Sequence, residues 1–281
     1  MDYYGIMQGR LTPPKGRGIQ FFPFENWKNE FYQAKELGLN EIEFIFDYER
    51  YVENPLWSQQ GRDNLRKLME ETGVKVRSIC FDYFMRRAFY KTEAGQKQEL
   101  KEENKNVLLQ VVEAMQELGI GLIEIPLVDD SSLSNHEDKA EFKEFILEIA
   151  AKAGTGIRFG LETDLCPKEF DAFLTDIGSS TIGANYDSGN SSGLGYDMYE
   201  EITALGSRIF NIHVKDRVFQ GTTVELGTGS ADFDGMFQGL KEIGYHGSFI
   251  LQAARGEEGE ETETIQKQVN FLKGYVARYL A

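Results

Sequence analysis

Eight times along this chain a short run of apolar, mostly β-branched or aromatic residues gives way to a longer amphipathic stretch. The short runs are 3–8 (YYGIMQ), 41–46 (EIEFIF), 76–82 (VRSICFD), 122–128 (LIEIPLV), 158–163 (RFGLET), 182–187 (IGANYD), 208–215 (RIFNIHVK) and 248–254 (SFILQAA). Their length and residue types read as strands. Helical patterns lie between them, over 25–38, 61–72, 97–118, 137–152, about 167–177, 197–205, 232–243 and 261–279. Leu108, Val111, Val112, Met115 and Leu118 share one face of the third. Phe142, Phe145, Ile146 and Ile149 share one face of the fourth. Gly38, Gly73, Gly119 and Gly244 stand where four of the helices should stop, glycine being the residue that accepts the left-handed cap conformation. Alternating strand and helix imply a parallel sheet. Eight such units in about 250 residues are the pattern of a (β/α)₈ TIM barrel. The whole span 1–281 is expected to form one such α/β domain, with no linker or low-complexity tract. The rival, an open doubly wound sheet, lacks support after the first strand: Gln8-Gly9-Arg10 and Pro13-Pro14 stand where a GxGxxG would.

Strands of a parallel barrel should be nearly continuous apolar runs. Here they begin apolar and turn polar toward their C-terminal ends. Side chains two apart share a face, so Asn185 pairs with Asp187, and Asn211 with His213 and Lys215. Glu162 and Gln252 end the fifth and eighth strands, and Glu43, Cys80, Asp82 and Glu124 sit on the second to fourth. Each polar group buried without a partner costs roughly 1–3 kcal/mol. The C-terminal face is where such barrels carry their active sites. Any one of these residues could belong to a self-satisfied network, but the set on strands five to eight points to function. Glu162, Asp187 and His213 supply two carboxylates and an imidazole, and Gln252 can add a carbonyl oxygen. That donor set suits one divalent metal ion, Mn²⁺ or Mg²⁺, with Zn²⁺ or Co²⁺ tolerated. A carbonyl and a neighbouring hydroxyl of a sugar could bind there, and a Lewis acid would stabilise an enediolate.

Charge narrows the partners. Thirty Lys and Arg against 46 Asp and Glu give a net charge of −16, which argues against nucleic acid. Three histidines leave little for a multi-histidine metal cluster. Two cysteines exclude a disulfide framework and fit a reducing cytoplasm. The N-terminal segment has no basic, apolar leader, and no run approaches the roughly 20 apolar residues of a membrane span. A small-molecule substrate is therefore expected.

Six segments carry a resemblance: GIMQGRLTPP at 5–14, FDYFM at 81–85, NYDSGN at 185–190, NIHVKDR at 211–217, ELGTGSADF at 225–233 and FILQAAR at 249–255. Through them the chain resembles the xylose isomerase-like TIM barrel superfamily, in its sugar-phosphate isomerase and epimerase group. That resemblance implies a metal held by a Glu after strand five, an Asp after strand six, a His on strand seven and a Glu on strand eight. Glu162, Asp187 and His213 match; the fourth position is Gln252, and Asn190 stands where many relatives have a histidine. Glutamine can ligate but cannot exchange a proton. A two-carboxylate epimerisation would lack one base, whereas aldose–ketose isomerisation can run on Glu162 alone. Isomerisation is therefore slightly favoured, unless Lys215, Asp82 or Glu124 supplies the second proton. Two rivals stay open: a keto-polyol dehydratase of the same superfamily, and a carbohydrate-binding barrel that has lost catalysis. Endonuclease IV, a histidine-rich relative, does not fit.

Around that centre, Lys215 is expected to steady a developing oxyanion. Arg217 and Arg255 could grip a phosphate or simply pair with acids, and Arg10, Arg86 and Arg87 are weaker versions of the same case. Asn190, Glu124 and Asp82 are candidate substrate contacts. Gly227-Thr228-Gly229-Ser230 could hold an anion on backbone amides, or merely cap a helix. The stretch GNSSGLG at 189–195 reads as a flexible loop. Trp57, Tyr83, Phe84 and Tyr90 could roof the pocket, though packing is the commoner role. His136 is a weak substrate contact, and His246 falls at the opposite face. Phe21, Phe22 and Phe24, if exposed, would permit a homo-oligomer interface, as relatives are often dimers or tetramers.

Overall fold

A computed structural model describes residues 3–280. Eight parallel strands close into a barrel: β1 (Tyr3–Met7), β2 (Glu41–Ile45), β3 (Ser78–Cys80), β4 (Leu122–Leu127), β5 (Arg158–Thr163), β6 (Ile182–Asp187), β7 (Ile209–Val214) and β8 (Ser248–Leu251). Each strand neighbours the next in sequence, and β1 closes the ring on β8, Ile6 lying opposite Leu251. The connecting helices are α1 (Trp27–Glu36), α2 (Gln59–Thr72), α3 (Ala94–Leu118), α4 (His136–Ala153), α5 (Pro167–Ile177), α6 (Met198–Leu205), α7 (Phe233–Glu242) and α8 (Glu261–Tyr279). The expected alternation is therefore present, with β3 shorter than its apolar run.

Local chemistry sets the helix limits. Ser58, Asn135, Asp197 and Asp232 accept a hydrogen bond from a first-turn amide of α2, α4, α6 and α7. Gly73, Gly119 and Gly178 end α2, α3 and α5 with φ between 64° and 79°, where a Cβ would be strained. The strands are buried on both faces, so the core fills the barrel and the layer beneath the helices.

Two sequence expectations change, and for the four aromatics near the mouth the commoner role, packing, is the one found. The GNSSGLG stretch is not a loop: residues Ser188–Leu194 form a helix directly after β6, with Gly195 as its left-handed cap. Its glycines make room for the chain leaving β7. A Cβ at Gly189 would stand 2.5 Å from Lys215 Cγ, and one at Gly193 would stand 3.0 Å from the Arg217 guanidinium. Phe21 and Phe22 are buried and Phe24 half-buried; Phe22 and Phe24 join an aromatic cluster with Trp27 and Phe44, while Phe21 lies under the guanidinium groups of Arg17 and Arg255, so they offer no open interface. Trp57 and Tyr83 pack with Tyr51, Phe46 and Phe81, while Phe84 and Tyr90 pack against Phe142. None of the four lines the cavity at the barrel mouth.

Candidate active site

The polar strand ends meet at the C-terminal mouth, around a cavity of about 500 Å³. That volume suits a monosaccharide-sized ligand. Glu162 ends β5, Asp187 ends β6 and His213 lies on β7, directly opposite Asp187 in the β6–β7 register. A register shift between Ala184 and Asn185 precedes Asp187, the kind of bulge that re-aims side chains beside active sites. Ligand atoms of Glu162, Asp187 and His213 all fall within 4.8 Å of one another, and all three residues are buried.

Each member is held. Glu162 accepts hydrogen bonds from Asn185 Nδ2 at 3.1 Å and Asn190 Nδ2 at 2.9 Å. Asp187 accepts from the Asn190 amide at 2.9 Å and pairs with Lys215 Nζ at 2.7 Å. His213 Nε2 donates to Glu43 Oε1 at 2.6 Å; Ser78 Oγ and the Asn211 amide donate to the other oxygen of Glu43. Nδ1 of His213 stands 2.9 Å from Glu162 and 3.8 Å from Asp187, without an aligned hydrogen bond to either.

Electrostatics follow from these contacts. Burial alone pushes the Asp187 carboxyl up, but Lys215 and His213 outweigh it and hold it well below the usual range. Burial opposes charge on His213, yet Glu43, Asp187 and Glu162 together raise its affinity for a proton. Glu124 is completely buried, and neither of its oxygens has a hydrogen-bond partner. Burial, then repulsion from Glu162, keeps it protonated well above the ordinary carboxyl range.

These residues fit a divalent ion. With Nε2 fixed on Glu43, Nδ1 is the histidine atom left to ligate, and it faces two carboxylates. Gln252 lines the same cavity, and its Oε1 is buried without a partner. Ligation requires Nδ1 without a proton, so ion binding there competes with the protonation that the surrounding carboxylates favour.

The remaining predicted residues divide. Asp82, Glu124, Asn190, Lys215, Arg217 and Gln252 all line the cavity. Arg255 does not: its guanidinium donates to the carbonyls of Ile19, Thr12 and Gly9, so it clamps the loop after β1 rather than facing a phosphate. Arg10 is buried and bonds the Ala253 carbonyl, and Arg87 pairs with Glu103. Amides in the 227–231 loop do hold an anion, but an internal one. Gly227, Gly229 and Ala231 donate to the buried carboxylate of Asp216. His246 lies at the far end of the barrel with Arg158 and Ser248, and His136 is exposed at the start of α4.

Sequence reasoning passed over two residues. Glu30 is buried in α1 and accepts from the Gly9 and Leu11 amides and the Thr12 hydroxyl, shaping the loop after β1. Gln20, farther along that loop, reaches the mouth. Its Nε2 donates to Asp82 at 2.7 Å, and its Oε1 accepts from Gln252 Nε2 at 2.9 Å. Nothing in a polar residue between Ile19 and Phe21 signals that reach.

The family described as xylose isomerase-like TIM barrel matches residues 31–275. L-ribulose-5-phosphate 3-epimerase UlaE of Salmonella heidelberg (strain SL476) is 26% identical over 244 residues, covering 81% of this chain and 82% of the relative. A solved L-ribulose 3-epimerase superposes with a TM-score of 0.75 at 16% identity, over 99% of this chain and 96% of the other. The IOLI protein, solved with a bound zinc atom, superposes with a TM-score of 0.74 at 17% identity, over 99% of each chain. The two solved structures share the fold.

Proposed function

The chain belongs to the xylose isomerase-like TIM barrel family, and on that footing we propose that it is a divalent-metal-dependent epimerase of a small ketose. The observation that carries this reading is Glu162: a carboxylate aimed into the cavity by two asparagines, beside Asp187 and His213. A base in that position can remove a proton from the carbon next to a carbonyl. Glu162, Asp187 and His213, with Gln252 as a weaker fourth, would hold the ion. When bound, it supplies Lewis-acid polarisation of the substrate carbonyl. Lys215, already beside Asp187, would donate to the developing oxyanion. Glu43 holds the His213 ring in place, and Asn190 keeps Glu162 and Asp187 in register.

The relatives support epimerisation over the isomerisation that Gln252 suggests in the sequence. The UlaE relative acts on a phosphorylated sugar, but the charge of this cavity favours a free one. Among the described residues, Lys215 and Arg217 are the basic ones lining it, against the carboxylates of Asp82, Asp129 and Glu162, with Glu124 held protonated by burial. The charge of Lys215 is already balanced by Asp187, and Arg217 donates through two of its nitrogens to the Gly221 carbonyl.

The test is NMR in D₂O with L-ribulose, L-ribulose 5-phosphate and a panel of ketohexoses, in Mn²⁺, Mg²⁺, Zn²⁺ or Co²⁺. Epimer formation with deuterium at the inverted carbon is expected, lost on chelation and faster with free sugars. Glu162→Gln should lower the rate by about 10²–10⁴-fold. Aldose products would return the reading to an isomerase, and loss of water to a dehydratase. Inertness with every sugar and metal would leave a binding barrel.

A further inference from the structure

Epimerisation requires a second proton carrier, on the side of the substrate away from Glu162. The eighth strand, where the resemblance implies a carboxylate, offers the amide of Gln252. That amide is not isolated. Gln252 Nε2 donates to Gln20 Oε1 at 2.9 Å, and Gln20 Nε2 donates to Asp82 Oδ2 at 2.7 Å. The relay runs from the end of β8, past β1 and β2, to the turn after β3. Those four strands form the half of the ring that faces β4 to β7, where Glu162 stands. Asp82 is the carboxyl group at the end of this relay. It lines the cavity, is 9% exposed, and is pinned a second time by the Cys80 thiol, which donates to Oδ1 at 3.3 Å. Neither contact is a salt bridge, so the group is positioned without being neutralised by a fixed cation.

Building on the epimerase reading above, we propose that Asp82 is the second proton carrier, taking over the role lost at Gln252, with Gln20 as its positioning residue. Glu162 breaks the C–H bond next to the carbonyl, and the electron pair moves into the carbon–carbon bond as the carbonyl oxygen takes the charge. Protonated Asp82 then delivers its proton to the same carbon from the opposite face, the pair returns to form C–H, and the carbonyl is restored. No net oxidation occurs. The reverse reaction, or exchange with cavity water, returns one proton to Asp82 and removes one from Glu162. Burial raises the Asp82 carboxyl to about 6, a range in which it can both give and take a proton near neutrality.

The experiment follows L-ribulose, or whichever ketose the panel above shows to turn over, in D₂O with metal-loaded enzyme. Asp82→Asn should lose epimer formation by 100-fold or more, while deuterium still enters the unreacted substrate within about 10-fold of the parent rate, because Glu162 is intact. Asp82→Glu should recover part of the epimerisation, and Gln20→Leu should slow epimerisation more than exchange. Wild-type epimerisation by Asp82→Asn overturns the assignment. So does equal loss of both signals in a variant whose circular dichroism and melting match the parent. Should Asp82→Asn fail to fold, Asp82→Ser is read by the same two signals. Failure of the epimerase reading itself looks different: the unmodified enzyme gives neither epimer nor exchange with any sugar, and the assignment falls with it.

Discussion

Glu43 is the carboxylate on which His213 depends. It lies fully buried on β2, takes the imidazole Nε2 at 2.6 Å, and is fixed by Ser78 and Asn211. Such outer partners orient a ligating imidazole, and their loss typically weakens metal binding about 10–100-fold. Glu43→Gln should therefore weaken divalent-ion affinity by about that factor, measured by titration calorimetry, with the melting curve as a fold control. Unchanged affinity would remove Glu43 from the site. Glu162, Asp187 and His213 were legible in the sequence because strand alternation and the position of each polar residue at a strand end bring them to one mouth. The tie between Glu43 and His213 was not, because it joins side chains 170 positions apart. Strand periodicity says which face a residue takes, not which residue it meets across the barrel. Arg255 shows the same gap: its place at the end of β8 was readable, its three carbonyl partners were not.

At the scale of elements, the helix Ser188–Leu194 shows why composition misled. Two glycines and three serines in seven residues read as a loop, since glycine weakens helices. Here tertiary packing outweighs propensity. Asp187 caps the first turn through Asn190, and the missing side chain at Gly189 lets the Lys215 stem pass against the helix. Gly189→Ala should thus fail to stabilise, although alanine is the better helix former. It should cost about 1–3 kcal/mol through the clash and lower turnover by displacing Lys215 from Asp187. Urea unfolding and steady-state rates check both; a more stable, fully active variant would contradict the packing argument. The eight strands and their eight connecting helices were otherwise readable, since apolar period agreed with a capping residue or a terminal glycine at several boundaries, whereas the short helix Tyr83–Arg86 carried no such signal.

For the whole molecule, the excess of acid has a thermodynamic consequence. Glu30, Glu41 and Glu201 are each raised from 4.5 to about 7, burial being the largest cause in every case. Between those values the unfolded chain gives up these protons while the folded chain keeps them. Folding stability contributed by the three is therefore fully present below the unfolded value and lost as pH rises through about 7. The self-repulsion of a chain at −16 acts in the same direction. Urea unfolding at matched salt should give a free energy higher at pH 5 than at pH 7.5 by about 2 kcal/mol for each of the three carboxyls, at about 1.4 kcal/mol per proton and pH unit. A flat or rising profile would mean that these carboxyls ionise in the folded protein at ordinary values. Among the described residues no helix is long and apolar enough to cross a membrane.

The loop after β1 is stitched to the other end of the chain: Arg10 bonds the Ala253 carbonyl, Arg255 bonds the carbonyls of Gly9, Thr12 and Ile19, and Gln20 meets Gln252. Chains emerge from the ribosome N-terminus first, at about 5–20 residues per second. By the time β8 appears, the six strands between have been made and β1 has stood with its closing neighbour absent. The mouth of the barrel is thus the last part to be finished. A nascent chain interrupted before β8 would carry Glu162, Asp187 and His213 in sequence but lack the wall against which a sugar could turn over, so partial synthesis yields no partial enzyme.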